Sequence, residues 1–367
     1  MLTSIEVKQA ASRLGFSVVG ITDAQPFHHH IEALRRRNDE DILLMSTLDF
    51  EIDIESIYKA SFPTELLSEA KSIISLSLGY LIEEELSNGD GTPRGRLARV
   101  HWWDCLGELE RRRTQLIQWL EQKGVRCVVS PGSPEKAIAS RAGLGSYGKN
   151  SNIQTLEDGS WNALGSIITD APLEPDEPMA PRCGSCRRCI GFCPTKAIIE
   201  PYVVDTKRCL SHLLLSPRPI PLEFRDKVGD RLTGCDACQE ICPRNWYVVP
   251  RAAEGLPGRS PSSISIQSIL DNEIWISKII AKEHTPLAPQ LHRNAMVILG
   301  NSTSEEAISI LVRSLGHPES QVRSHAAWSL GKHGGNIARK ALEEAMAKEK
   351  DEKVMEEMIS ALERGWP

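Results

Sequence analysis

The chain has 367 residues, of which 41% are hydrophobic and 25% are charged, and a formal net charge of −6 at pH 7. This composition fits a globular protein of two or three domains. No apolar stretch reaches the length of a membrane span, so we expect no membrane partner. The acidic balance argues against indiscriminate binding to nucleic acid, although it is compatible with a local basic patch.

Helical and strand patterns alternate through the first half of the sequence. The pattern predicts helices over residues 5–14 and 108–123, and strands over residues 17–21, 70–80, 126–129 and 159–169. We therefore expect an α/β or α+β domain over residues 1–178.

The glycine-rich segment 141–150 predicts a loop in this first domain. It matches neither a dinucleotide-binding nor a triphosphate-binding motif. Glycine lets a backbone approach a bulky ligand, but a turn-rich connector would have the same composition. The sequence leaves both interpretations open.

Eight cysteines distinguish the segment that follows. They form a C-x2-C-x2-C-x3-C-P run and a C-x2-C-x3-C-P run with one cysteine between them: Cys183, Cys186, Cys189, Cys193, Cys209, Cys235, Cys238 and Cys242. This is the bacterial ferredoxin spacing, and each four-iron cluster needs four thiolates. We therefore predict a ferredoxin-like module with two [4Fe–4S] clusters over residues 179–250, which moves electrons one at a time.

The spacing also predicts which thiols share a cluster, because the cysteine before the proline usually ligates the other cluster. The predicted sets are Cys183, Cys186, Cys189 and Cys242 for the first cluster, and Cys193, Cys209, Cys235 and Cys238 for the second. Cys105 and Cys127 fall outside both sets and are expected to be core thiols.

Disulfides and zinc are the alternatives to clusters. Disulfides need an oxidising compartment, and the N-terminal residues do not resemble a secretory signal. Zinc in paired C-x2-C sites is the stronger alternative. The Cys-Pro pair after a three-residue gap occurs twice, which favours iron.

Basic residues exceed acidic ones around the cysteines. Between Arg182 and Arg251 there are twelve Lys or Arg and seven Asp or Glu. This excess either offsets the negative charge of two thiolate-ligated clusters or forms a surface for a partner. The sequence leaves both explanations open.

A linker and an internal repeat make up the rest. Residues 251–287 begin with a Gly-, Pro- and Ser-rich stretch, which predicts a linker. Residues 291–300 match residues 322–331 at a period of 31, and residues 354–362 continue the pattern. We therefore predict HEAT-like helical repeats over residues 288–367, and an α+β multidomain protein as a whole.

Taken together, these parts resemble the epoxyqueuosine reductase family over essentially the whole chain. The motifs that carry the resemblance are residues 70–74, 141–145, 148–150, 159–161, 183–186, 208–209, 234–238, 242–243 and 323–332. The resemblance implies cobalamin bound in the first domain, two clusters that reduce it, and an external electron donor. It also implies a substrate, epoxyqueuosine in a transfer-RNA anticodon loop, whose epoxide oxygen is removed in queuosine biosynthesis. We expect a cytoplasmic monomer.

The resemblance also implies which side chains contact cobalamin. They are Arg141, Lys149, Asn150, Ser160 and Thr169. The sequence has no D-x-H-x-x-G motif, so no histidine of that motif is available to ligate cobalt. This absence is compatible with the base-off corrin that the family uses.

The sequence departs from the family where the chemistry is expected. The family's proton donor is the aspartate of a V-D-T-G stretch, whereas Val129 or Ser130 occupies that place here, depending on one gap. A W-x-x-D-Y-H motif loses its tyrosine and histidine at Cys105 and Leu106. The catalytic acid is therefore unknown, and Glu135 and Asp104 are the candidates to replace it.

Two further positions differ from the family, since an expected arginine is Ala60 and an expected threonine is Leu214. These departures keep two alternatives open. One is a corrin-dependent reductase of another substrate, such as an organohalide or a different modified nucleoside. The other is a non-catalytic iron–sulfur protein whose repeats dock a partner.

Arginines in the repeats provide candidate contacts to transfer RNA. Arg293, Arg313 and Arg323 lie near the helical repeats and are candidates to contact phosphate. The alternative is that they are ordinary basic residues of exposed helix faces.

Overall fold

The computed structural model describes residues 2–36, 54–84, 91–271 and 288–363. The chain divides into two compact units. The first comprises Met1–Glu83, Arg99–Cys209 and Asp236–Arg259, and the second comprises Glu84–Ala98, Leu210–Cys235 and Ser260–Pro367. The fourfold division predicted along the chain, at residues 178, 250 and 287, stays a prediction.

The described helices and strands are numbered along the chain. The helices are α1 (Ser4–Arg13), α2 (His28–Arg35), α3 (Ile54–Lys59), α4 (Pro63–Leu66), α5 (Cys105–Glu121), α6 (Glu135–Arg141), α7 (Arg188–Phe192), α8 (Leu210–Leu215), α9 (Leu222–Val228), α10 (Ala237–Glu240), α11 (Ile266–Leu270), α12 (Ala288–Asn301), α13 (Glu305–Ser314), α14 (Ser320–His333), α15 (Gly335–Met346) and α16 (Glu352–Glu363). The strands are β1 (Val18–Asp23), β2 (Ser72–Gly79), β3 (Arg94–Leu97), β4 (Cys127–Val128), β5 (Ser146–Tyr147), β6 (Ile153–Gln154), β7 (Asn162–Thr169), β8 (Ile198–Glu200), β9 (Val203–Val204), β10 (Arg231–Thr233) and β11 (Ser263–Ser265).

A four-stranded antiparallel sheet organises the first unit. Its strand order is β1-β2-β7-β4, with Ser77 opposite Val18 and Ser72 opposite Thr169. Every residue of β2 is buried, as expected for a central strand rich in Ile and Leu that is covered on both faces. The strands predicted from the sequence are confirmed here.

Helix α6 packs on this sheet and leads into the glycine-rich loop. Ile138 of α6 joins Phe27, Ile73 and Ile168 in one apolar cluster. The loop then passes close to β1, where a Cβ atom on Gly20 would lie 2.2 Å from the carbonyl oxygen of Ala142. Only glycine at position 20 allows this approach, which fixes the loop against the sheet edge.

The segment that carries most of the cysteines has little regular structure. Short helices α7 and α10 and the hairpin β8–β9 alternate with loops. Its apolar core is small and includes Ala197 and Ile198 packed with cysteines. Such a module needs metal to hold its loops together, because it buries too little apolar surface by itself.

The second unit contains a small sheet and the helical repeats. In the sheet, β3 pairs in parallel with β10 and antiparallel with β11. Strand β11 and helix α11 fall within the predicted linker 251–287, so that part of the prediction is wrong. The reason is apolar burial, since Ile264, Ile266 and Ile269 lie in the core. Residues 272–287 lie outside the described residues.

Helices α12 to α16 form the repeats, which confirms the prediction of HEAT-like architecture. Small residues allow the helices to approach closely. A Cβ atom on Gly331 in α14 would lie 2.7 Å from the Cβ of Ala361 in α16. Within the described ranges, no helix combines the length and the apolar character needed to cross a membrane.

Arg293 is a structural residue of α12. Its side chain is fully buried, and its guanidinium donates hydrogen bonds to backbone carbonyls of Leu213, Leu214, Ser216 and Arg218. Burial lowers the pKa of this guanidinium to about 9. The prediction that Arg293 contacts phosphate is therefore wrong.

The other two predicted phosphate contacts have protein partners. Arg323 forms a two-pronged ion pair with Glu349, with N–O distances of 2.7 and 2.8 Å. Arg313 donates to Gln267 at 3.1 Å. Both stay predictions as contacts to RNA.

Replacing the buried arginine should destabilise the second unit. We expect Arg293→Met to lower the free energy of unfolding by about 3 kcal/mol, because four buried carbonyls lose their donor. Urea unfolding followed by circular dichroism measures this change. Arg339→Met, at an exposed site on α15, should stay within about 0.5 kcal/mol of the parent. Equal losses in the two variants would contradict a structural role for Arg293.

Candidate functional site

The first predicted set of thiols lines one cavity. Cys183, Cys186, Cys189 and Cys242 surround it, and the other lining residues are Lys149, Asn150, Gln154, Arg188 and Pro243. The loop after β5 therefore meets the cysteine loops at this point.

The four thiols lie close enough to influence each other's ionisation. Burial raises the pKa of Cys189, and the nearby thiolates of Cys183, Cys242 and Cys186 raise it further. Burial and two thiolates of the same set also raise the pKa of Cys242. Thiolates gathered in this way repel one another unless a metal supplies positive charge.

Hydrogen bonds hold this cavity in place. The backbone N–H of Lys149 donates to Cys183 Sγ at 3.4 Å, and Gln154 Nε2 donates to Cys242 Sγ at 3.5 Å. The ammonium of Lys149 donates to the carbonyls of Gly184 and Cys186 at 2.7 and 2.9 Å. Donors to sulfur stabilise thiolate ligands and tune the potential of a cluster.

Three thiols of the second predicted set pack at one small apolar core, which Cys189 of the first set also contacts. Cys193 is buried, and Cys209 and Cys238 pack against the same small core. Burial alone would raise the pKa of Cys193, but backbone N–H groups, first that of Ala197 at 3.2 Å from Sγ, outweigh it and lower the pKa. Cys235 directly precedes Asp236, the residue at the N-terminal cap of α10, which carries Cys238.

Lys136 lies in the first turn of α6 and is exposed, and its Nζ lies 3.5 Å from Asn152 Oδ1.

The predicted cobalamin contacts fall at several places in the first unit. Lys149 and Asn150 line the cavity of the first set, and the buried Nδ2 of Asn150 has no hydrogen-bond partner. Arg141 lies at the end of α6, where it donates to Thr22 Oγ1 and to the carbonyl of Asp23, both at 3.0 Å.

The remaining two predicted contacts are buried. Ser160 Oγ donates to Gln239 Oε1 at 2.9 Å and accepts from Asn245 Nδ2 at 2.8 Å. Thr169, at the end of β7, accepts the N–H of Ala171 at 3.1 Å. All five residues stay predictions as corrin contacts.

The candidate acids differ in their surroundings. Glu135 Oε1 accepts from Ser166 Oγ at 3.0 Å, while its Oε2 is buried without a partner. Burial raises the pKa of Glu135 to about 7. Asp104 instead caps α5 by accepting the N–H of Gly107 at 2.9 Å.

Sequence reasoning missed Gln154 as a residue of the site. Gln154 belongs to the two-residue strand β6, and its type and spacing carry no signal of contact with a cysteine that lies 88 positions away. Only the tertiary contact reveals its role.

Comparison with known proteins agrees with this architecture. Residues 182–245 match a family model described as a 4Fe-4S double cluster binding domain, and residues 285–363 match HEAT repeats. Both predicted modules are thereby confirmed.

Curated relatives match nearly the whole chain. Epoxyqueuosine reductase of Bacillus anthracis is 35% identical, over 95% of this chain and 94% of its own. The Bacillus subtilis enzyme is 31% identical, over 98% and 95%. The chain belongs to the epoxyqueuosine reductase family. It is an iron–sulfur oxidoreductase of that family, as the motifs predict.

Solved structures of this family share the fold. A Bacillus subtilis structure, described as having its catalytic loop swung out of the active site, superposes with a TM-score of 0.88 at 31% identity and covers 98% of each chain. The Streptococcus thermophilus protein gives 0.83 at 26% identity, over 97% of each chain. A further structure contains an epoxyqueuosine-modified transfer-RNA stem loop and also gives 0.88, at 31% identity over 98% of each chain.

Single substitutions should separate the two clusters. After anaerobic reconstitution we expect Cys183→Ala and Cys193→Ala each to retain about half of the iron, because each set loses one of four ligands. Iron analysis and electron paramagnetic resonance measure this. Cys105→Ala is the matched control, since Cys105 is a buried thiol whose pKa burial raises to about 12, and it should retain all the iron. Full iron in either set variant would contradict the assignment.

Glu135 should make stability depend on pH. Its folded pKa of about 7 lies above the ordinary value of 4.5, so its contribution is present below pH 4.5 and is lost as the pH rises through 7. Between about pH 5 and pH 8, the free energy of unfolding of the parent should fall by on the order of 3 kcal/mol relative to that of Glu135→Gln. Urea unfolding across that range measures the difference, and parallel pH profiles would disprove the buried state of this carboxyl.

Proposed function

We propose that this protein reduces epoxyqueuosine in transfer RNA to queuosine. Removing the epoxide oxygen as water consumes two electrons and two protons. The observation that supports the proposal is full-length similarity to epoxyqueuosine reductases together with complete sets of cluster cysteines. The relative solved with a modified transfer-RNA stem loop supports the same substrate class.

The proposal includes cobalamin in the first unit. When bound, cobalamin supplies a metal centre that accepts single electrons and breaks a carbon–oxygen bond. Several buried polar atoms of this unit have no hydrogen-bond partner: Ser75 Oγ, Ser77 Oγ, Glu135 Oε2, Ser146 Oγ, Asn150 Nδ2 and Gln154 Oε1. A buried unpaired polar atom costs about 1–3 kcal/mol, so such atoms suit a large polar ligand. We propose that Asn150 and the other four predicted residues hold it.

The chain's own residues organise electron transfer in this proposal. Lys149 fixes the loop of the first cluster through two backbone carbonyls. Two clusters in one chain can store the two electrons that the reaction needs.

The supply of protons is the incomplete part of the site. Neither Val129 nor Ser130 carries an acid, and the Ser130 hydroxyl donates to the carbonyl of Pro131 at 3.0 Å. Glu135 has a suitable pKa, but its free oxygen is enclosed by protein. The carboxylate of Asp104 accepts the N–H of Gly107 as a helix cap.

Restoring an acid should therefore accelerate turnover. We expect Val129→Asp or Ser130→Asp to raise the single-turnover rate about a hundredfold, the lower end of what a general acid contributes. Val129→Asn and Ser130→Asn are controls of similar size that donate no acidic proton. Equal rates in the Asp and Asn variants would show that proton donation does not limit turnover.

The proposed activity itself is tested with the reconstituted protein. Protein carrying both clusters is titrated with cobalamin and then given a transfer-RNA stem loop that contains epoxyqueuosine and a reductant. We expect corrin absorbance to change on binding and queuosine to form, as measured by mass spectrometry of the nucleosides. Failure to bind cobalamin, or failure of queuosine to form, would reject the proposal.

The missing acid favours one second candidate, a corrin-dependent reductase of an organohalide. Reductive dehalogenation consumes two electrons and one proton, which the carbon takes up, whereas the departing halide itself needs no proton, unlike an epoxide oxygen. Release of halide from a haloaromatic compound, with no queuosine formed, would support this candidate. A cytoplasmic location and a monomeric state stay predictions.

A further inference from the structure

Large apolar side chains are exposed beside the first set of cysteines. Phe192 is 53% exposed, Trp246 52%, Tyr247 87% and Val249 82%. We call these four residues the Trp246 patch. A single exposed apolar residue is ordinary, but several together, three of them rings at more than half exposure, are typical of an interaction surface.

The patch adjoins the first cluster site directly. Trp246 follows Cys242 by four positions, and Phe192 belongs to α7, which also contains Cys189. The guanidinium of Arg188 lies 4.9 Å from the centre of the Trp246 ring, and Arg188 also lines the cavity of the first set. One side chain therefore contacts both the patch and the cavity.

Positive charge borders the patch. Arg187, Arg188 and Arg244 are exposed. The carboxylate of Glu240 is near this surface, but it is paired with Arg99 at 2.6 Å. The border is therefore basic on balance.

Between Arg182 and Arg251, basic residues outnumber acidic ones, either to offset the charge of the clusters or to bind a partner. The positions of the basic side chains help to decide between these explanations. Lys149 points inward and binds the cluster loop, so it is suited to offset the charge of a cluster. Arg187 and Arg244 are exposed, and the guanidinium of Arg244 donates to the carbonyl of Arg182 at 2.6 Å. Water screens the effect of such exposed charges on a buried cluster. An outward basic border is more useful for attracting a partner of opposite charge.

We propose that the Trp246 patch docks a small acidic protein that carries single electrons, of the ferredoxin or flavodoxin type. In the complex the carrier loses one electron and the first cluster gains one, with no bond made or broken. Transient redox complexes use small interfaces, and steering by charge gives them fast association. The inference rests on the proposed function only in that the reaction needs electrons from outside.

Stopped-flow reduction of the clusters tests this docking. Holoprotein with both clusters is mixed with reduced ferredoxin or reduced flavodoxin, and the bleaching of cluster absorbance is followed. We expect Arg187→Glu and Tyr247→Ser each to slow reduction by the carrier about tenfold at low salt. Rising ionic strength should slow the parent and narrow its difference from Arg187→Glu.

Controls separate docking from damage to the cluster. Photoreduced deazaflavin, a small uncharged reductant, should reduce all variants at the parent rate. Arg187→Lys keeps the charge and should retain most of the rate with the carrier. Lys353→Glu, an equal charge reversal at an exposed position of α16, should have no effect.

Three results would overturn the inference. They are equal slowing with deazaflavin, no slowing with either carrier, and weakened binding of a transfer-RNA stem loop while carrier reduction is unchanged. The last would mark the patch as an RNA-binding surface. Because the readout is cluster reduction without transfer RNA, a failure here is distinct from a failure of epoxyqueuosine reduction.

Discussion

Mutual repulsion among thiolates is the constraint on which the cysteine-rich segment depends. In the first set, neighbouring thiolates and burial together raise the pKa of Cys189 and Cys242. Short helices and hairpins with a small apolar core cannot offset this by packing alone. Iron binding can offset this repulsion. N–H donors from Lys149 and Gln154 contact two of the sulfurs, those of Cys183 and Cys242. The metal and the sheet thus position each other.

Helix α6 is the element through which the sheet meets the redox centres. It packs on the central sheet through Ile138, so its orientation is fixed by the core. Its last residue, Arg141, donates to Thr22 near the end of β1.

Losing a catalytic acid and losing a cluster cysteine would have different physical consequences. Losing one cluster thiolate would remove a ligand that nothing else replaces, whereas losing a proton donor slows a reaction without harming the fold. Neither Glu135 nor Asp104 restores the acid in this conformation, since one is enclosed and the other caps a helix. The cysteines expected to ligate the clusters are therefore all present, whereas the residue expected to donate a proton is replaced.

The sequence alone determined the cluster modules and the repeats, because cysteine spacing and a 31-residue period are local patterns. It also located the strands of the central sheet, whose apolar runs are short-range signals. Tertiary structure decided what depends on distant contacts: the burial of Arg293, the ordered strand β11 inside the predicted linker, and Gln154 beside Cys242. Composition cannot distinguish a buried arginine from an exposed one, since only the carbonyls that surround it in the folded chain make its burial favourable.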